Sequence, residues 1–287
     1  MKKSENLAST TITDFLGKPL RYIIVTITTI GIVFPLFWLF TSAIKYEADY
    51  LAFPPVFFPK EFTFDNFVQV FRNDGVALGL YNSAFISIVA TFVAVFIGSM
   101  AAYSLTSSQI GTKTRNFFAF WFLIQKMYPA IATAIPIYMV MRSLRLIDTK
   151  LSMIILNISF NLPLVIWLMM GFFREIPKEI EESGMIDGCP MARRFFSLIL
   201  PIAKPGMIAA SILAFLGSWN EFLFAVILTI KKAKTLPVII AGFITDRGLE
   251  WGPMAATGVI LVLPVLVLVW IMQKDFVAGL SKGAVKG

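Results

Sequence analysis

The sequence predicts an all-α membrane protein with six spanning helices, and three features carry that prediction. Hydrophobic residues make up 57% of the 287 residues and charged residues only 15%, whereas soluble domains carry about 45–50% and about 25%. Charge-free stretches recur along the chain, each long enough to cross a bilayer as a helix. The alternating ten-residue segments of a membrane barrel do not occur, so the spans must be helices, which satisfy their own backbone hydrogen bonds.

Six segments meet the length requirement. In chain order the predicted spans are residues 22–44, 81–105, 116–141, 151–173, 206–230 and 253–273. Residues 1–21 form an N-terminal segment and residues 274–287 a C-terminal tail. Prolines inside the spans predict kinks, which serve either packing alone or the opening of a pathway; they are Pro35, Pro129, Pro136, Pro163 and Pro264.

The charges indicate how the chain is oriented. An even number of spans puts both termini on one side, and a modest excess of Lys and Arg on that side predicts that both termini are cytoplasmic. The first span is too long for a cleaved signal peptide, and no small-residue cleavage site follows it. The net charge of +8 then reflects a membrane surface, with no nucleic-acid partner.

The composition also argues against catalysis by this chain. It contains no His and a single Cys, Cys189. His is the commonest general base and metal ligand, and one Cys excludes an internal disulfide or a Cys-based metal cluster. We therefore expect no catalytic residue, no metal site and no cofactor in this chain.

Residues 174–205 form the segment that does not belong in lipid, and they read as two surface helices. Pro177 suits the first position of a helix, and Gly188 suits a helix end that needs positive φ. Pro190 opens a second helix over residues 191–200. Acidic side chains complement the first helix dipole: Glu179, Glu181 and Glu182. An apolar stripe consists of Ile180, Met185 and Ile186. The composition alone fits an amphipathic surface loop or a docking element.

A motif in this segment resembles the cytoplasmic EAA loop of binding-protein-dependent ABC importer permeases. The family pattern is Glu-Ala-Ala, three residues, Gly, nine residues, Ile-x-Leu-Pro. Here Glu182 begins the pattern, Gly188 supplies its glycine and residues 198–201 read Leu-Ile-Leu-Pro. Ser183 and Gly184 replace the two Ala, and Gly184 is expected to loosen the helix by about 0.5–1 kcal/mol relative to Ala.

Further matches make the chain similar to the carbohydrate branch of these permeases, in particular to its MalG-like, six-span members. They are residues 161–163, 171–177, 219–222, 235–237 and 283–287. The resemblance implies the type I, MetI-like permease fold with a coupling helix in the loop. It also implies a bacterial inner-membrane location and a set of partners: a second permease subunit, two ATP-binding-cassette ATPase subunits and a periplasmic or lipid-anchored sugar-binding protein.

The resemblance assigns coupling to the loop and ATP hydrolysis to the partners. ATP and Mg²⁺ would bind the ATPase, since this sequence has no phosphate-binding Gly-x-x-x-x-Gly-Lys-Ser/Thr loop. A loop carboxylate could pair with an ATPase arginine, whereas Gly188 provides a tight turn or a simple helix cap. The expected coupling residues are Glu181, Glu182, Ser183, Gly184, Asp187, Gly188, Leu200 and Pro201.

Polar and aromatic residues inside the spans are candidates for the substrate pathway. They are Gln125, Lys126, Tyr128, Asn157, Asn161, Trp219, Asn220 and Glu221. Intramembrane charges usually face a pathway, and amides and rings suit sugars, but Asn also joins helices to one another. A direct pair between Lys126 and Glu221 stays open.

Two segments are expected on the external side. The loop 231–250 carries residues that either contact the binding protein or form a plain surface turn: Asp246, Arg247, Gly248, Leu249 and Glu250. Residues 45–74 are rich in Pro and Phe, which predicts a docking or an interfacial segment in contact with lipid.

Two other classes of function compete with the permease. An ion-coupled transporter often has two similar halves and intramembrane acids, but this chain shows no obvious repeat and one such acid, Glu221. A membrane scaffold without a transport role is the third reading. Copurification of an ATPase would separate the permease from both.

Overall fold

The computed structural model describes residues 2–106, 110–246 and 248–284, with side chains left out for 2–18, 74, 123 and 272–284. The structure is helical apart from one two-stranded sheet in the described part. The α-helices are α1 Lys2–Ala43, α2 Glu47–Tyr50, α3 Asp65–Arg72, α4 Asp74–Thr106, α5 Thr112–Met127, α6 Ala134–Ser143, α7 Lys150–Glu175, α8 Lys178–Ile186, α9 Met191–Arg193, α10 Leu200–Ile202, α11 Lys204–Trp219, α12 Leu223–Leu228, α13 Leu236–Ala241 and α14 Trp251–Ala284. The strands are β1 Ile244–Thr245 and β2 Gly248–Leu249.

Four described helices are long and apolar enough to span a membrane, and six spans result if each bent helix pair counts as one. The four are Pro19–Ala43, Gly75–Thr106, Lys150–Glu175 and Trp251–Ile271. The chain divides into two compact units, Met1–Arg72 with Thr245–Val259 and Asn73–Ile244 with Ile260–Gly287.

In the first unit, the aromatic segment that follows α1 folds back onto it. The ring centroids of Phe57 and Trp38 lie 5.6 Å apart, and those of Phe58 and Phe37 lie 5.2 Å apart. Lys45 is 1% exposed and its Nζ lies 4.0 Å from the centre of the Trp38 ring. Part of the segment predicted as docking or interfacial thus contacts α1, although Phe57 and Phe58 remain 48% and 72% exposed.

In the second unit, α4, α7 and α11 form the core. Small residues permit close approach: a Cβ built on Gly98 of α4 would lie 2.6 Å from Cγ1 of Val165 in α7. The buried core residues of this region include Ala94, Ala102, Val165, Ile166, Met169, Phe173, Phe195, Ala210 and Ala214. This packing positions the loop that connects α7 to α11.

Two predicted spans are not continuous helices. The stretch 116–141 divides into Thr112–Met127 and Ala130–Ser143, which meet at 92°, with a 3₁₀ turn over Ala130–Thr133. Pro129 has no N–H to continue the helix and disfavours helical geometry at Tyr128, whose ψ is 130°. The stretch 206–230 is also interrupted, because α11 ends at Trp219 and α12 begins at Leu223. A kink in the first stretch was expected from Pro129, whereas the break at residues 220–222 was not expected. The second bent helix pair in the structure is Met191–Ile202 with Lys204–Trp219, which meet at 80°, so it begins before the predicted fifth span.

Candidate coupling loop and membrane pathway

The coupling helix α8 ends as its sequence predicts. Gly188 has φ +70°, which confirms the expected left-handed turn. The Cys189 N–H donates to the Gly184 carbonyl at 2.9 Å and the Gly188 N–H to the Met185 carbonyl at 3.0 Å. These two bonds form a Schellman motif, which satisfies carbonyls at the helix end. At the other end, Pro177 lies just before α8, while Glu179 and Glu181 occupy its first turn.

The second part of the loop differs from the prediction. A single α-helix was expected over residues 191–200, but the structure has a π-helix over Arg194–Ile199 between two short α turns. Residues five apart lie over one another in a π-helix, so Arg194 and Ile199 share the buried face. Pro201 lies within α10.

Gly184 marks a close approach between α8 and the π-helix. It is buried, and a Cβ built there would lie 2.8 Å from Leu198 Cδ1 and 3.2 Å from Arg194 Cδ. The glycine at a position where the family pattern has alanine therefore allows tight packing, besides its expected effect on helix propensity. Arg194 is 7% exposed, and its Nη1 donates to the Cys189 carbonyl at 2.8 Å.

Glu181 is the loop carboxylate that the structure brings to the membrane helices. Tyr103, near the end of α4, donates its hydroxyl to Glu181 Oε1 at 2.7 Å. The Tyr103 ring is 4% exposed and lies 5.1 Å from the Phe195 ring and 5.9 Å from the Phe173 ring, measured between centroids. One of the expected coupling carboxylates is thus held inside its own chain.

The other expected coupling residues are distributed over two faces. Glu182, Ser183 and Asp187 are exposed, as are Gly188 and Pro201, whereas Leu200 is half-buried. The predicted apolar stripe divides, because Ile180 packs against the core and Ile186 is 86% exposed. An exposed apolar side chain beside carboxylates at a helix end is suited to contact with another protein.

Three of the predicted pathway residues are buried and bind other parts of the chain. Asn161 Nδ2 donates to Ser218 Oγ at 2.9 Å and so joins α7 to α11. Trp219 Nε1 donates to the Leu261 carbonyl at 3.0 Å. Asn157 Nδ2 donates to the Met153 carbonyl one turn earlier in α7. The contacts of Asn161 and Trp219 join different helices, which is one of the two roles that the sequence left open, whereas Asn157 bonds within its own helix.

Glu221 stabilises the interruption between α11 and α12. Its Oε1 accepts from the Phe224 N–H at 2.8 Å and its Oε2 from the Ala225 N–H at 3.0 Å. These are unpaired donors at the start of α12, and a carboxylate there also complements the helix dipole. Both carboxylate oxygens are occupied in this way, so the chain satisfies Glu221 without Lys126. The neighbouring Asn220 bonds back to the Leu216 carbonyl.

Gln125 and Tyr128 line a cavity at the bend of the third span. The cavity has a volume of about 420 Å³ and is lined by Gln125, Tyr128, Thr133, Ile137, Ser159, Phe160 and Pro163. Tyr128 is 58% exposed. Amide, hydroxyl and ring groups therefore meet on one surface, which is the combination that small polar ligands require.

Asp148 lies just before the start of α7, at the end of that helix away from the loop 174–205. It is not among the site residues predicted from the sequence. Asp148 has φ +59°, and its carboxylate accepts four consecutive backbone N–H groups at 2.9–3.1 Å, from Ile230, Lys231, Lys232 and Ala233. Burial raises the pKa of Asp148, but these backbone bonds outweigh it, so the pKa lies below its usual value. We call this arrangement the aspartate clamp.

Helix α4 holds the same connection from another side. Asn82 Nδ2 donates to the carbonyls of Lys232 and Lys234 at 3.0 and 2.9 Å, and Ser83 Oγ accepts from the Leu236 N–H at 2.8 Å. Asn82 is fully buried. Hydrogen bonds from Asp148 and from α4 thus hold the backbone of the connection between α12 and α13.

The predicted binding-protein contact forms an exposed hairpin. Asp246, Gly248, Leu249 and Glu250 are exposed, Gly248 has φ +124°, and Thr245 Oγ1 donates to the Gly248 carbonyl at 2.9 Å. Arg247 lies outside the described residues. A tight turn with exposed charged side chains fits both predicted roles of this loop, contact with the binding protein and a plain surface turn.

Comparison with known proteins decides the family. Residues 94–274 match the family described as "Binding-protein-dependent transport system inner membrane component". The chain belongs to this family. It is 31% identical over 95% of its length to the sulfoquinovosyl glycerol transport system permease SmoH of Agrobacterium fabrum, covering 95% of that protein. It is 36% identical over 88% of its length to the trehalose transport system permease SugB of Mycobacterium tuberculosis, covering 92% of that protein.

A solved structure shares the fold. It is a bacterial ABC transporter involved in the import of the acidic polysaccharide alginate, with a TM-score of 0.76 at 21% identity, covering 92% of this chain and 98% of that one. The predicted fold class, an all-α type I importer permease, is therefore confirmed. The chain is a multi-pass membrane permease component of a binding-protein-dependent transporter.

Proposed function

We propose that this chain is one of two permease subunits of an ATP-driven importer of a carbohydrate, which a periplasmic or lipid-anchored binding protein delivers. The similarity to the trehalose permease over nearly the whole chain carries the proposal. Permeases named for sulfoquinovosyl glycerol and diacetylchitobiose lie in the same range of identity. Their substrates differ, so sugar import is the shared feature.

The cavity at the bend of the third span would contact the sugar. Gln125, Tyr128 and Ser159 offer an amide, an exposed ring and hydroxyls on one surface. Asn157, Asn161 and Trp219 are buried by helix packing and would act only indirectly. We therefore assign the sugar pathway to Gln125, Tyr128 and Ser159, together with the second permease subunit that would face them.

The loop 174–205 would face the cytoplasm, together with both termini, and couple this chain to an ATPase that binds ATP and Mg²⁺. The side chain of Ile186 and the carboxylates of Glu182 and Asp187 are exposed beside the Gly188 turn. An apolar anchor rimmed by charges fits a cleft on a partner protein. The hairpin with Asp246 and Glu250 would contact the binding protein on the external side of the membrane.

Copurification and uptake test this function together. A tagged chain, extracted in mild detergent, is expected to bring down a second multi-span protein and an ATPase with a Walker motif. Proteoliposomes of that complex should take up a radiolabelled disaccharide from a panel only with internal ATP and external binding protein. Purification of the chain alone, with uptake driven by an ion gradient, would instead support a secondary transporter.

Two substitutions test the assignment of the cavity. Tyr128→Ala is expected to raise the KM of uptake with little change in the thermal midpoint of the complex, because the ring is exposed. Asn161→Ala should lower the thermal midpoint instead, because it leaves Ser218 without its partner. If the two variants showed the reverse pattern, the cavity would not be the sugar-contacting surface.

A further inference from the structure

A partly buried polar contact joins the loop 174–205 to a spanning helix across 78 residues of sequence. The Tyr103 hydroxyl of α4 donates to Glu181 of α8 at 2.7 Å. The tyrosine side chain is 4% exposed, so water does not compete freely for this bond. A bond made in such surroundings is stronger than the same bond at the surface.

Two neighbouring elements hold the Tyr103 side chain. The Glu181 carboxylate of α8 accepts from its hydroxyl, and Phe195 of the π-helix places its ring 5.1 Å from the Tyr103 ring. Arg194 is 7% exposed, and its Nε has no hydrogen-bond partner among the described residues. The Tyr103 hydroxyl is thus bound from α8, and its ring is packed from the π-helix.

The ring of Tyr103 cannot swing independently of its helix. The Phe173 ring of α7 packs edge-on against it with a centroid distance of 5.9 Å, and the Phe195 ring lies 5.1 Å away. Protein interiors of this kind are close-packed, so a displaced side chain moves its neighbours. A shift of α8 that pulls on the hydroxyl therefore acts on the end of α4.

We propose that Tyr103 is a positioning residue that transmits displacement of the coupling helix α8 to the spanning helix α4. The inference rests on the proposed coupling role of the loop and adds the residue through which coupling enters the membrane. It also changes the role of Glu181, which acts toward α4 within the chain, and leaves the exposed Glu182 and Asp187 to meet the partner.

The test compares two single cysteines in the complete transporter in nanodiscs, with Cys189→Ala as background. Ala77→Cys reports on the far end of α4 and Lys178→Cys on α8; both positions are exposed. The labelling rate by a charged maleimide is measured with and without ATP, Mg²⁺ and vanadate. We expect both rates to respond in the parent protein.

In Tyr103→Phe, which keeps the ring and removes the hydroxyl, the response at residue 178 should persist and the response at residue 77 should be at least halved. Glu181→Gln keeps an acceptor and should retain more of the response than Tyr103→Phe. Tyr138→Phe removes a half-buried tyrosine hydroxyl in α6 and should leave both responses unchanged.

The outcomes separate this inference from the proposed function. No response at residue 178 in the parent protein would overturn the coupling role of the loop itself. A response at residue 178 with an undiminished response at residue 77 in Tyr103→Phe would overturn the inference alone. So would a parent response confined to residue 178, or a Tyr103→Phe variant that loses both responses, since the hydroxyl would then only hold the loop in place.

Discussion

The two ends of helix α7 are held by different kinds of contact. At its start, the Asp148 carboxylate binds four backbone N–H groups, and the Thr149 side chain accepts from the Ser152 N–H as the helix cap. At its end, Phe173 packs among the rings of Tyr103 and Phe195. One end is fixed by directional bonds to the main chain, and the other mainly by apolar contact.

The difference indicates which end can adjust. Hydrogen bonds weaken steeply when their angle changes, so the aspartate clamp resists displacement of the connection it holds. Apolar contact is non-directional, so rings can slide while they stay buried. We therefore expect the end of α7 beside the loop 174–205 to move more readily than the clamped end, and we expect the Tyr103–Glu181 bond to link that movement to α4.

The largest effect is expected from removing the charge of the clamp. Asp148→Asn keeps a residue that tolerates positive φ. Its neutral amide oxygen is a weaker acceptor than the carboxylate, and its NH2 group would face the Lys232 N–H that Oδ2 now accepts. We expect a loss of about 1–3 kcal/mol in stability, seen as a lower thermal midpoint of the purified complex. Faster amide exchange over residues 230–233 should accompany it.

Asp246→Asn is the control, because Asp246 lies in an exposed turn and its substitution should leave the midpoint unchanged. Equal midpoints for Asp148→Asn and the parent protein would show that the clamp contributes nothing to holding this end.

A smaller effect is expected at the coupling end. Gly188→Ala forces a Cβ into φ +70°, which costs about 1 kcal/mol and should reduce the stimulation of ATP hydrolysis by loaded binding protein without unfolding the bundle. Gly171→Ala is the matched control in α7, since a Cβ there meets nothing within 4 Å. Unaltered stimulation in Gly188→Ala would mean that the turn geometry does not matter for coupling.

The smallest effect concerns pH. The pKa of Asp148 is lowered from 3.8 in the folded protein, so the clamp contributes its full stability above that value and loses it as the pH falls through the lower folded pKa. Amide exchange over residues 230–233, corrected for its intrinsic pH dependence, should stay constant from neutral pH down to about 5. Loss of protection already between pH 7 and 5 would contradict the assignment.

Part of this molecule follows from its sequence because the signals are local. Apolar length places the spans, and the turn at Gly188 needs only the φ that glycine adopts readily. The bend at Pro129 was visible as a kink, but its angle of 92° depends on the packing of the elements it joins. The π-helix over Arg194–Ile199 likewise depends on the surface against which it lies.

Two of the contacts near the ends of α7 join residues far apart in the sequence. Tyr103 and Glu181 are 78 residues apart, and Asp148 is 82 residues from the first amide it binds. Neither spacing produces a periodic signal. Tyr103 reads as one more residue of an apolar span, and Asp148 reads as a loop acid before a helix. The sequence therefore predicts a two-helix segment over residues 174–205, but not the tyrosine that joins it to α4.

The most direct test of this account is hydrogen–deuterium exchange on the complete transporter, with and without ATP, Mg²⁺ and vanadate. The account predicts that nucleotide changes the rate of amide exchange in residues 178–202, which lie within the loop 174–205. The rate in residues 228–236, the clamped connection, should not change. A change in exchange confined to residues 228–236, with no change in residues 178–202, would contradict it.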